Sequence, residues 1–197
     1  MNLRRALRKH PSLQLPFHLL GVYQAHTQTT RSERDALAEF ARGRSSLAEI
    51  GVLQGATARR LSSVMDPNGT YYAIDPYGGG RFGVDFNYVI ARREVAKDAR
   101  GRVEWIRTTG AEAPNDPRLQ GCTVDFLFID GDHSYDGLRG DWEAWRDLVA
   151  PGGIVGLHDT RGGRFGCQRY MEEVIIPDEA FNVVAEVHSL TVLRRAA

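Results

Sequence analysis

Val124-Asp125-Phe126-Leu127-Phe128-Ile129-Asp130 is almost continuously apolar and ends on a carboxylate. A strand covered on both faces reads this way, because neither side of its pleat meets water, and such strands belong to the middle of parallel sheets. The stretch therefore predicts the centre of an α/β fold, and the rest of the chain can be read outward from it.

Upstream, Ser46 to Val52 is a short apolar strand that runs into Gly51 and Gly55, and Ala56 to Met65 reads as a helix. Thr70 to Asp75 is the next strand, introduced by the turn Asp66-Pro67-Asn68-Gly69. The glycine-rich Gly78-Gly79-Gly80, a helix from Tyr88 to Ala99, a strand from Val103 to Arg107 and a loop from Thr108 to Leu119 complete this half. A helix from Thr30 to Ala41 precedes it, with Thr30 or Ser32 as its cap and Ala36, Leu37 and Phe40 at helical spacing.

Downstream, a helix from Tyr135 to Val149 ends at Ala150-Pro151-Gly152-Gly153, and Ile154 to His158 is the fifth strand. A helix from Gln168 to Ile175 and two strands, Val183 to Glu186 and Leu190 to Leu193, follow. Strands alternating with helices predict right-handed crossovers and an α/β, Rossmann-like, doubly wound, mostly parallel seven-stranded sheet with helices on both faces. Residues 1–28 are expected to form an amino-terminal arm or cap segment, with one domain over residues 29–197.

Composition narrows the function. With 197 residues and 42% of them hydrophobic, the chain suits one sizeable core. Lysine plus arginine and aspartate plus glutamate number 25 each, so no global field favours nucleic acid or an anionic membrane. The apolar runs fall short of the ~20 residues of a bilayer span. Met1 to His10 is basic but lacks the apolar core of a secretory signal, and Cys122 and Cys167 are too few for a disulfide framework. The expectation is a cytoplasmic protein with reduced thiols. Trp142 and Trp145, three apart on one helix, read as core or interface residues.

In such a sheet ligands bind beyond the carboxyl ends of the strands, where the strand order reverses. The loop Glu49-Ile50-Gly51-Val52-Leu53-Gln54-Gly55-Ala56-Thr57 joins the first strand to its helix, where small residues let backbone amides approach a ligand. Its glycines stand four apart, which departs from the dinucleotide fingerprint of three closely spaced glycines. Asp75, at the tip of the second strand, stands where a carboxylate can accept hydrogen bonds from both hydroxyls of a ribose.

Asp130, Asp132 and His133 follow the central strand, while His158 and Asp159 follow the fifth, so five ionisable side chains should converge on one crevice. Clustered carboxylates need compensation, which suggests a divalent metal; oxygen ligands favour magnesium, and one imidazole also permits manganese. His133, with a reference pKa of about 6.5, is placed to take a proton. Tyr23, Gln24 and His26 before the fold, and Arg161, Arg164 and Phe165 after the fifth strand, flank the mouth as acceptor contacts.

Glu49-Ile50-Gly51-x-x-x-Gly55, the strand ending at Asp75, Gly110-Ala111-Glu112, Phe128 to Tyr135, Pro151-Gly152-Gly153 and His158-Asp159-Thr160 occur in the order seen in class I S-adenosylmethionine-dependent methyltransferases. From Thr29 to Leu193 the chain resembles their small-molecule and sugar O-methyltransferase branch. The resemblance implies S-adenosylmethionine as cofactor, with Glu49 and Gly51 beside its methionine, Asp75 on its ribose, and Ala111 with Glu112 at its adenine. It also implies magnesium on residues at the positions of Asp130 and Asp159, and a base at His133, although relatives carry Asp-Asp where this chain has His158-Asp159.

Methyl transfer asks for a deprotonated or polarised acceptor, since an alcohol at neutral pH is a poor nucleophile. The expected activity is therefore metal-assisted O-methylation of a sugar or glycoside hydroxyl, by Asp130 and His133, in an open site or one completed by a second subunit in a homo-oligomer. A catechol or phenol is the second acceptor class. A metal-dependent hydrolase is the competing class, and would leave Glu49 and Asp75 unexplained. A nicotinamide oxidoreductase should show a glycine triad, and a non-catalytic binding module should lack the base and ligands.

Overall fold

The computed structural model describes residues 11–78, 84–163 and 165–197. Met1 to His10, Gly79, Gly80 and Arg164, all named above, lie outside the described residues. The chain begins with helix α1 (Pro11–Leu19) and α2 (Arg31–Ala41), followed by β1 (Ser46–Ile50), α3 (Ala56–Ser62), β2 (Thr70–Ile74), α4 (Phe86–Val95) and β3 (Arg102–Ile106). A short 3-10 turn then leads to β4 (Val124–Ile129), α5 (Tyr135–Trp145), β5 (Val149–Leu157), α6 (Gly166–Tyr170), β6 (Phe181–Val187) and β7 (Leu190–Arg195).

The strands form one sheet in the order β3-β2-β1-β4-β5-β7-β6. β1 to β5 are parallel, and β7 runs antiparallel to both β5 and β6. The order reverses between β1 and β4, whose ends are tied by the Asp130 N–H donating to the Ile50 carbonyl at 2.8 Å. That gap is where the ligand rule puts a site.

Alternate residues of the central strands feed two apolar layers. Ala48, Ile50, Tyr72, Ile74, Leu127, Ile129 and Val155 pack with Trp142 and Trp145 of α5 on one face. Leu47, Tyr71, Ala73, Phe126, Phe128 and Ile154 pack with Leu37 and Ala38 of α2 and Leu61 of α3 on the other. β4 is thus covered on both sides, as its composition requires. Trp142 lies edge-on to Phe181 at 4.7 Å between ring centres, and Trp145 is fully buried with its Nε1 donating to the Gly110 carbonyl at 2.8 Å. Both tryptophans are core residues, as their spacing predicts.

Two differences from the sequence reading have local causes. α1 escapes a periodicity reading because Pro16 sits inside it, where proline normally breaks a helix. The fifth strand starts earlier than Ile154, since Val149 already pairs with Val124 and a register shift beyond it absorbs Pro151-Gly152-Gly153. α2 starts on a capping box in which Thr30 Oγ1 accepts from the Glu33 N–H while the Glu33 carboxylate accepts from the Thr30 N–H. Glu33 has a second task in the site.

Candidate active site

A cavity of about 550 Å³ opens over the ends of β1, β2 and β4. Of the residues expected at the site, Gly51, Thr57, Asp75, Ala111, Asp130 and His133 line it, together with His26 of the amino-terminal segment. Glu49, Gly55, Glu112, His158 and Asp159 do not, and each has an identifiable position instead.

Gly51 adopts φ +88°, and a Cβ there would collide with the Asp130 carbonyl, so only glycine lets the ends of β1 and β4 come together. Gly55 packs against Ala91 of α4 and so fixes the helix behind the loop rather than the cavity wall. Between them Leu53 is held at φ +52°, a conformation rare for a branched side chain, and its N–H donates to Asp75 Oδ2 at 2.9 Å. The Tyr77 N–H donates to Asp75 Oδ1 at the same distance, so both oxygens are oriented. Burial raises the Asp75 pKa, and these amides oppose the rise.

Glu49 is buried, and the Tyr71 hydroxyl donates to its carboxylate. Burial lifts its pKa to about 8 against that donation. Glu112 is exposed and accepts from the hydroxyls of Thr108 and Thr109 at 2.9 and 3.0 Å. Thr57 is buried and shares a 3.1 Å hydrogen bond with Thr29. The His26 N–H donates to Gln54 Oε1 at 2.7 Å, which ties the amino-terminal segment across the glycine loop. Tyr23 and Gln24 line a second cavity of about 510 Å³, away from the reactive residues.

The reactive residues do converge. His158 Nδ1 lies 2.8 Å from Asp130 Oδ1 and 3.5 Å from Asp159 Oδ2, as charge contacts rather than directed hydrogen bonds. Its Nε2 lies 3.5 Å from Glu33 Oε2 and 3.3 Å from the Ser189 hydroxyl. Burial works against a charged ring here, but Asp130, Asp159 and Glu33 outweigh it and raise the His158 pKa to about 9. Glu33 is held down at about 2, because the Thr30 and Ser189 donors overcome its burial.

This donor set does not support the metal expectation. A ring with carboxylates at both nitrogens is kept protonated, and a protonated nitrogen offers no lone pair to an ion. The compensating cation between Asp130 and Asp159 is His158 itself, and among the described residues no group of three His, Cys, Asp or Glu side chains is arranged to hold a metal ion. Magnesium or manganese on Asp130, His158 and Asp159 does not fit this arrangement.

His133 sits at the rim, 22% exposed, with Nε2 3.7 Å from Asp159 Oδ2 and its ring 5.1 Å from that of Phe165. Asp159 is held at φ +54°, a strained conformation that aims its carboxylate between the two imidazoles. Arg161 is turned away to pair with Glu186. Sequence reading missed Glu33, whose capping-box pattern signals only a helix start, and Asp141, a cavity-lining carboxylate inside the α5 pattern.

Residues 48–160 match the family described as methyltransferase domain. A Sinorhizobium fredii (strain NBRC 101917 / NGR234) protein, the uncharacterized y4gI, is 35% identical over 107 residues, 52% of this chain, and the chain spans only 12% of its length. Three solved structures share the fold. A Corynebacterium glutamicum protein gives a TM-score of 0.69 at 18% identity, covering 99% of this chain and 96% of its own. The N-methyltransferase NodS of Bradyrhizobium japonicum, in complex with S-adenosyl-L-homocysteine, gives 0.64 at 15%, covering 98% of each. CalS11, a TDP-rhamnose 3'-O-methyltransferase of calicheamicin biosynthesis, gives 0.61 at 16%, covering 98% and 99%.

Proposed function

The chain belongs to the methyltransferase-domain family, and from that premise we propose that it is an S-adenosylmethionine-dependent O-methyltransferase acting on a hydroxyl of a sugar or glycoside. The carrying observation is that an oriented ribose-type carboxylate, Asp75, and an aspartate-backed imidazole, His133, face one cavity. Residues 29–197 are its catalytic domain, and the segment before Thr29 caps it through His26.

The residues around the cavity fit the cofactor. The glycine loop gives close backbone approach, Asp75 offers two oriented acceptor oxygens, and the small residues Gly110 and Ala111 line another part of the cavity. S-adenosylmethionine, when bound, supplies an electrophilic methyl group on sulfur. His133 removes the acceptor's proton. Its Nε2 is directed at Asp159, which leaves Nδ1 to take the proton and the Asp159 charge to stabilise the resulting imidazolium. Asp130 and His158 hold Asp159 in place. The likeness in fold to a rhamnose O-methyltransferase is consistent with a sugar acceptor. Phe165, 41% exposed and tilted against the His133 ring, favours a phenol as the second acceptor class.

Calorimetric titration of the full chain with S-adenosylmethionine and, separately, with NAD tests the cofactor. Micromolar binding of the first and none of the second is expected, followed by methyl transfer to a panel of glycosides and phenols. Binding of NAD instead would overturn the reading.

A further inference from the structure

We propose that Cys167 is a positioning residue for the His133–Asp159 pair: its backbone N–H and its thiol hydrogen hold the main chains of the two residues in the register that lets the carboxylate face the imidazole. The inference rests on the reading of His133 as the base, and it gives a task to a cysteine that lies outside every motif quoted above.

His133 and Asp159 come from separate loops, one after β4 and the other after β5, so local chain geometry does not fix the distance between them. Cys167, in the first turn of α6, touches both. Its N–H donates to the His133 carbonyl at 3.0 Å, and its Sγ–H donates to the Asp159 carbonyl at 3.0 Å. Gly166 makes this approach possible, because a Cβ there would stand 2.6 Å from the backbone nitrogen of Tyr135, in the same loop as His133. On the other side Gln168 accepts from the N–H of Gly163, farther along the Asp159 loop. The start of α6 is thus tied to both reactive loops at once.

Asp159 needs such a hold. Its φ of +54° is strained for a residue other than glycine and persists only where the surroundings enforce it. The next residue is fixed, since the Thr160 N–H donates to the Ser189 carbonyl and its hydroxyl pairs with that of Thr191, but the Asp159 carbonyl itself meets the thiol. Cys167 is 2% exposed, and burial together with the Asp159 charge pushes its thiol up to about 11, so it keeps its proton at neutral pH and stays a donor. Cys167 is not among the residues that line the cofactor cavity, so its loss should reach the reaction through the base and its carboxylate and not through cofactor binding. Serine keeps the donor, alanine removes it, and valine fills the space without one.

Two measurements on the full chain test this. In a Cys122→Ser chain, where Cys167 is the only thiol, the infrared S–H stretch should lie below that of an alkanethiol in hexane, as a donated thiol does; coincidence of the two bands would overturn the proposal. Methyl transfer is then followed with the glycoside or phenol that the wild type turns over fastest. Cys167→Ala and Cys167→Val are expected to lower kcat by on the order of 3- to 30-fold, with S-adenosylmethionine affinity changed less than about twofold, since a displaced catalytic group costs rate and not cofactor binding. Cys167→Ser should regain most of the rate, and in an Asp159→Asn background the alanine change should cost nothing further, because both act through one carboxylate. An unchanged kcat in Cys167→Ala, a serine variant as slow as alanine, a loss of cofactor affinity matching the loss of kcat, or a full additional loss on top of Asp159→Asn would each overturn the proposal and leave the base assignment standing. A His133→Asn chain that works at the wild-type rate, or a wild type that methylates no member of the panel, would overturn the reading of the base, and this assignment with it.

Discussion

His158 Nδ1 stands 2.8 Å from Asp130 Oδ1, where β5 and β4 end side by side. The ring bridges the last residue beyond the central strand to Glu33 at the start of α2, so one buried imidazolium joins the site to the helix covering the other face of the sheet. Removing it leaves Asp130, Asp159 and Glu33 without their shared cation. His158→Ala is expected to lower unfolding free energy by about 3–5 kcal/mol, the range for one partner lost from a buried ion pair. Urea unfolding with an unchanged midpoint would show that the ring stabilises nothing.

The same contact sets a pH dependence. His158 has its pKa raised from 6.5 to about 9 in the folded state, so its contribution is full below 6.5 and is lost as pH rises through 9. Glu33 acts at the opposite limit, since its pKa is lowered from 4.5 to about 2, and its contribution is lost as pH falls through that range. Thermal midpoints across pH 6–10 should fall in the wild type and flatten in His158→Asn.

Metal handling follows from the protonated ring. Wild-type turnover should be unaffected by a chelator, and manganese titration monitored by EPR should show no stoichiometric site. Chelator-sensitive turnover restored by one equivalent of magnesium per chain would mean that His158 gives up its proton to an ion.

His133→Asn should lower turnover by about 10²–10⁴-fold, the usual worth of a general base, with cofactor affinity unchanged. An unaltered rate would remove His133 from the reaction.

Asp75→Ala should weaken S-adenosylhomocysteine binding by on the order of 10- to 100-fold, through the loss of an oriented acceptor. Its effect should fall equally on adenine and hypoxanthine ligands. Retained affinity would mean that the ribose lies elsewhere.

The fold was legible because each central strand announces itself twice, once by its apolar run and once by the acidic or glycine residue at its end. Val124 to Asp130 placed the sheet centre, and Gly51 and Asp75 placed the crevice. Glu112 and Asp141 show where that legibility stops. Which carboxylate meets a cavity depends on where a helix rotates its side chains, and on whether nearby threonines bind the competitor first; neither is encoded in the short motif Gly110-Ala111-Glu112. The metal expectation lacks support for a related reason. Charge counting along the chain found Asp130, His158 and Asp159 but could not see Glu33, which is brought in from far upstream to hold the ring's second nitrogen.

The Trp145 indole N–H, donated to the Gly110 carbonyl at 2.8 Å, places a fluorophore directly behind one wall of the cavity. Indole emission responds to the electric field along the ring, and a ligand lying on Gly110 changes that field. The protein therefore carries its own unlabelled optical sensor of occupancy. Trp145→Phe should silence the signal, separating it from whatever Trp105 and Trp142 contribute.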